Sequence, residues 1–148
     1  HRFWHLSPIW RIHKWHHSAT SMYWLAGYRA SFLQLVLFGL PWGVALSVLG
    51  KAPWWVFLIV TVSHILTNDW QHMNVTWRSN WLEWVFITPR LHHVHHSDNL
   101  TLSNANFGVI FSIWDRLFGT YVDPETVKEE LSFGIGEEVP LVRLVIGV

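Results

Sequence analysis

Two kinds of hydrophobic patterning divide the 148-residue chain. "SFLQLVLFGLPWGVALSVLG" (31–50) holds no charge and a single amide, Gln34. At about 1.5 Å per residue a helix of this length reaches roughly 30 Å, the thickness of a hydrocarbon core. Pro41 predicts a kink within it, which membrane helices tolerate. "GKAP" (50–53) reads as a tight turn, with Pro53 suited to a first helical turn. "WWVFLIVTVSHILTNDWQH" (54–72) is apolar to Leu66 and polar beyond it. Both arms are apolar on every face, which predicts a transmembrane hairpin; the alternative is a helical hairpin buried in a soluble core.

The flanks are patterned differently. Residues 1–30 are aromatic, basic and histidine-rich, and residues 76–120 predict short helices and loops at a membrane surface. Within them "TP" (88–89) marks an element boundary and "SDNLTLSNANFG" (97–108) a polar loop. "VIFSIWDRLFG" (109–119) suits an amphipathic helix ended by Gly119. The acidic "DPETVKEELSFGIGEE" (123–138) predicts a solvated tail. The expected fold is all-α: an integral membrane helical bundle in which a hairpin carries a histidine-rich cap, one domain over residues 1–148. The chain opens inside a motif and stops in an apolar run, so it reads as a fragment of a longer protein with transmembrane helices upstream.

Composition agrees with a lipid setting. Charged residues make up 14% of the chain, against roughly a quarter in soluble domains. Twelve tryptophans fit the same setting, because indole favours the boundary of lipid and water. Ten basic residues balance ten acidic ones, which argues against nucleic acid as a partner. No cysteine is present, which removes disulfides, zinc–thiolate sites and thiol catalysis together. Any metal must therefore be held by nitrogen and oxygen. Arg2, Arg11, Lys14 and Arg29 precede the hairpin, Arg78 and Arg90 follow it, and its turn carries only Lys51. The positive-inside rule then places both outer ends, with all their histidines, on the cytosolic face.

Those histidines are the most unusual feature. His1 and His5 form HxxxH; His13, His16 and His17 form HxxHH; His92, His95 and His96 repeat HxxHH, with His93 inside the motif. Residues four apart on a helix differ by only about 40° in direction, so each set converges on one side. Ser7-Pro8 reads as an N-cap with a first-turn proline, placing the first pair and the first triplet on adjoining helices. Eight histidines, with His72 added, exceed what one ion needs and suit two metals with four or five ligands each. Imidazole serves iron, copper, nickel and zinc alike, so ligand type does not choose the metal. Isolated axial histidines, the haem signature, are not the pattern here. The competing explanation is a surface histidine cluster that takes up metal adventitiously.

HRFWH, HKWHHS and LHHVHHS, in this order around a hydrophobic hairpin, resemble the fatty acid hydroxylase and sterol desaturase superfamily of integral membrane di-iron oxygenases. "QHMNV", "WLEWVFITPRLHHVHHSDN" and "NFGVIFSIWDRLFGTY" extend the resemblance almost end to end. It implies two iron ions, dioxygen as co-substrate, and hydroxylation or desaturation of an unactivated C–H bond of a membrane lipid such as a fatty acyl chain or sterol. It also implies a separate electron donor: a cytochrome b5-like protein, a ferredoxin or a reductase. Carried over, the iron ligands are His1, His5, His13, His16, His17, His72, His92, His95 and His96. His64 is expected to support a ligand ring or pack its helix, with metal ligation the alternative, and His93 is expected to point away. Asn74, Glu83, Asp98, Asn106 and Asp115 are candidates to hold the ligand rings, since each imidazole must direct its other N–H at an acceptor. For Asp115 an ion pair with Arg116 is the competing role, and for Glu83 a local cap. Trp24, Trp42, Trp70 and Trp77 are candidate walls for the lipid. A membrane zinc hydrolase and a non-catalytic metal-binding membrane protein remain alternatives, the first disfavoured by the absence of HExxH.

Overall fold

The computed structural model describes residues 1–48, 50 and 53–148, apart from the side chains of residues 42, 43, 46 and 48. Among the described residues the protein is all-α, with two isolated antiparallel bridges, Phe86–Phe111 and Ser97–Phe133, and no strand. A 3-10 turn (Arg2–His5) leads to α1 (Trp10–His17), and a second (Trp24–Tyr28) to α2 (Phe32–Val48). Then α3 (Trp54–His64) passes through a π turn (Ile65–Asp69) into the short α4 (Trp70–His72). Five short helices follow: α5 (Asn80–Val85), α6 (Pro89–His95), α7 (Leu100–Ser103), α8 (Ile113–Leu117) and α9 (Leu141–Ile146).

Local chemistry sets the boundaries. The Thr88 hydroxyl accepts the Leu91 N–H at 3.4 Å and Pro89 occupies the first turn, so the expected boundary is the start of α6. Asn99 likewise caps α7, accepting the Thr101 N–H at 2.9 Å, which puts one helical turn inside the segment expected to be loop. Gly119, at φ 68°, ends the region of α8, but the helix itself covers only half the expected span. Ser7 caps nothing. Here the Leu6 carbonyl accepts the Ile9 and Trp10 N–H groups at 2.7 and 2.9 Å, and α1 starts at Trp10. The acidic tail partly folds back: the Ser132 carbonyl accepts the Asp98 N–H at 2.9 Å, and Glu137 pairs with Lys14 at 2.6 Å.

The interior is inverted. Ile87, Leu91, Val94 and Ala26 are fully buried, but around them lie eight buried histidines. By contrast α2 and α3 expose large apolar side chains on every face, Leu35, Leu40, Trp54 and Ile59 among them. No helix of the described residues is long and apolar enough to cross a membrane. The two expected arms exist as α2 and α3, and the Lys51–Ala52 part of their turn lies outside the described residues. The base of α2 is fixed to α1 by the Ser31 hydroxyl, which donates to the Ile12 carbonyl at 2.6 Å.

Candidate metal centre

Four elements aim imidazoles at one region. α1 buries His13, His16 and His17, and α6 buries His92 and His95, with His96 directly after it. The first 3-10 turn brings His1 and His5, and α4 brings His72. The nine rings form two groups. His1, His5, His13, His17 and His95 make the first, His16, His72, His92 and His96 the second, and in each the facing nitrogens all lie within 4.8 Å of one another. The groups abut where the His17 and His96 rings stack at 4.3 Å.

Hydrogen bonds decide what those nitrogens are. His1 Nδ1 faces the Phe107 carbonyl at 3.1 Å and His95 Nδ1 the Ala105 carbonyl at 2.8 Å. A carbonyl only accepts, so both Nδ1 atoms carry hydrogen and both Nε2 atoms present lone pairs. Yet these two Nε2 atoms stand 3.2 Å apart. Two lone pairs cannot form a hydrogen bond; a cation between them turns repulsion into coordination. His13 Nδ1 faces the Gln34 side-chain oxygen at 3.3 Å, and its Nε2 lies 3.0 Å from that of His1. His72 Nδ1 faces the Asn68 carbonyl at 2.6 Å, aiming its Nε2 at those of His16 and His92, 3.3 and 3.2 Å away. His96 and His92 meet at 3.0 Å. Imidazoles bound at about 2.1 Å to one cation stand about 3.0 Å apart at right angles and about 3.4 Å apart at tetrahedral angles. The spacings match coordination edges.

Burial completes the fit. His5 Nε2, both nitrogens of His17 and His92 Nδ1 are buried without a hydrogen-bond partner, an arrangement that costs free energy unless something else binds them. Burial pushes His5 down to about 4. Burial first, and neighbouring imidazoles second, push His13, His17, His92 and His96 well below the usual imidazole range. His16 and His95 are held well below it by burial and imidazole neighbours too, partly offset by backbone hydrogen bonding. Neutral imidazole is the form that binds metal.

The remaining candidates lie elsewhere. His64 is exposed and stands edge-on to Tyr28 at 5.8 Å. His93 Nε2 donates to the Met73 carbonyl at 3.0 Å, away from both groups. Glu83 is buried, and its carboxylate takes Arg90 at 3.1 Å through each oxygen. Asp98 is exposed and accepts the Ser132 hydroxyl; Asn74 is exposed. Asn106, in the left-handed region at φ 49°, ties the Leu91 and Val122 carbonyls together. Asp115 accepts the Phe107 and Gly108 N–H groups at 2.7 Å each, so it holds the loop whose carbonyl orients His1. Among the wall candidates Trp24 and Trp77 are exposed and Trp70 is half-buried, while the side chain of Trp42 lies outside the described residues. Gln34 was not among the candidates, although its signal was in plain view: one amide in an otherwise apolar, uncharged run.

Residues 1–120 match the family model for fatty acid hydroxylase. The chain belongs to the fatty acid hydroxylase family. It is 39% identical over 121 residues to the ornithine lipid hydroxylase OlsE of Rhizobium tropici, covering 81% of this chain and 36% of that protein. It is 32% identical over 137 residues to the alkylglycerol monooxygenase of Xenopus tropicalis and 30% over 139 residues to that of Homo sapiens. Each of these two alignments covers 91% of this chain and 29% of the relative. The chain thus spans about a third of the length of the curated relatives it matches. No solved structure matches it significantly.

Proposed function

We propose that the protein is a non-haem di-iron monooxygenase that hydroxylates an unactivated C–H bond of a membrane lipid. The lone pairs of His1 and His95, held face to face at 3.2 Å by carbonyls behind each ring, carry this reading. His1, His5, His13, His17 and His95 would hold one iron, and His16, His72, His92 and His96 the other. Iron there supplies the redox chemistry that zinc lacks: dioxygen is reduced with two electrons and two protons from outside, one oxygen entering the lipid and the other leaving as water. The chain's own part is to exclude water, keep the imidazoles neutral and fix their direction. The relatives, an ornithine lipid hydroxylase and alkylglycerol monooxygenases, favour hydroxylation over desaturation. A separate donor brings the electrons. The exposed apolar faces of α2 and α3 support seating them in the bilayer, with the cap on the cytosolic side.

The test is metal analysis of the full-length protein, purified anaerobically after iron-57 enrichment. About two irons per chain, coupled in the Mössbauer spectrum after oxidation, is the expected result for this ligand set. A single tightly held zinc without coupled iron would overturn it.

A further inference from the structure

A cavity of about 420 Å³ adjoins the first histidine group, walled by His1, the 107–111 loop and α8 with Phe118. Its size falls within the range of small-molecule sites, about 300–1,000 Å³. One wall is His1 itself, whose Nε2 belongs to that group. Phe107 stands between cavity and rings, 5.0 Å from the His5 ring and 5.5 Å from that of His95. The polar groups nearest Phe107 are already spent. Asp115 takes the Phe107 and Gly108 N–H groups and the Thr120 hydroxyl, and the Phe107 carbonyl takes His1. What faces the space is Val109, Ile110, Phe111, Trp114 and Phe118. These same residues are exposed outwards, Phe118 at 65% and Trp114 at 53%, so the cavity opens onto an aromatic, apolar rim. Aromatic rims of this kind suit the lipid–water boundary. Arg2, exposed beside it, is the cation of the lining.

We propose that this cavity is the port through which a single acyl or alkyl chain leaves the bilayer and reaches the metal side of Phe107. Resting on the lipid-oxidising reading above, it names the substrate-binding site for that chemistry. Arg2 at the rim apart, the side chains of the lining offer a polar substrate little, whereas a hydrocarbon chain needs no partner. The lipid head group stays at the rim near Arg2, where a phosphate or carboxylate meets a positive charge.

Two arms test the port in the full-length protein. In the first, phosphatidylcholine carrying a terminal diazirine on one acyl chain is photolysed in vesicles with the protein, and labelled peptides are mapped. Labelling within residues 107–118 that Ile110→Trp abolishes, while Leu40→Trp on the exposed face of α2 leaves it intact, supports the port. In the second, Ile110→Trp should raise KM for the lipid at least about tenfold with unchanged iron content. Label concentrated outside 107–118, or an Ile110→Trp protein with unaltered labelling and KM, overturns the port. A protein that binds no iron yet labels at 107–118 would sink the oxygenase reading and leave the port standing.

Discussion

Asp115 makes no hydrogen bond to a histidine, yet the orientation of His1 passes through it. Its two oxygens hold consecutive backbone N–H groups, which fixes the Phe107 carbonyl that the His1 ring needs. Asp115→Asn turns an NH2 toward a donor and leaves a buried N–H unpaired, a loss of roughly 1–3 kcal/mol. We expect a lower Tm and a protein that loses iron from the first group more readily, read by thermal unfolding and by iron content after dialysis against a chelator. Full iron retention at wild-type Tm would show that the loop holds itself. Gly108 is equally constrained: a Cβ there would lie 2.7 Å from the Phe111 carbonyl and 2.9 Å from Asp115 Oδ2. Gly108→Ala should therefore resemble Asp115→Asn in both readouts. Asp115 was legible in the sequence as a candidate, but its partners were not. Adjacency made Arg116 its natural partner, but residues side by side on a helix face different ways. The structure stacks Arg116 instead on Tyr121 and Trp84, at 3.6 and 4.3 Å.

Helix by helix, the sequence was most readable where periodicity is strongest. The first HxxHH triplet sits wholly on α1 and the second on α6 and the residue that ends it, with the three rings of each buried, as i, i+3, i+4 spacing favours. The π turn at Ile65–Asp69 was not readable, because an inserted turn leaves no mark in an apolar pattern. Its consequence is local: α-helical bookkeeping fails across it, His64 stays outside on Tyr28, and His72 turns in with its Nδ1 on the Asn68 carbonyl. The second 3-10 turn presses on this segment. A Cβ at Gly27 would come within 2.6 Å of the Asn68 side chain. Gly27→Ala should thus displace Asn68 and weaken metal at the second group while sparing the first. Iron stoichiometry would fall toward one per chain; an unchanged value would show that the Asn68 side chain yields without moving its carbonyl. Gln34 couples α2 to the first group in the same way. Gln34→Leu removes the acceptor behind His13 and should lower metal affinity about 10–100-fold, with Gln34→Glu restoring most of it. Equal affinity in all three proteins would mean that α1 alone orients His13.

At the scale of the whole molecule, the low charge and the aromatic excess raised the expectation of a lipid setting but did not say how the core would be built. Seven of the histidines that converge, from the first 3-10 turn, α1 and the α6 region, are held below their ordinary protonation range chiefly by burial. An unfolded chain protonates the same rings near pH 6.5. Between that value and the folded value, about 4 for His5 and well below the usual imidazole range for the more deeply buried rings, the unfolded state binds more protons. Stability is therefore fully present above about pH 6.5 and lost as pH falls, by about 1.4 kcal/mol per pH unit for each imidazole concerned. In chelator-treated, detergent-solubilised full-length protein, Tm should be level above about pH 7.5 and fall steeply below pH 6.5. Added iron should raise Tm most at neutral pH, where no proton competes for Nε2. A Tm that stays level down to about pH 5 would mean that water reaches the rings and lets them protonate within the fold. The neutral, lone-pair-bearing imidazoles on which the metal centre rests would then be gone.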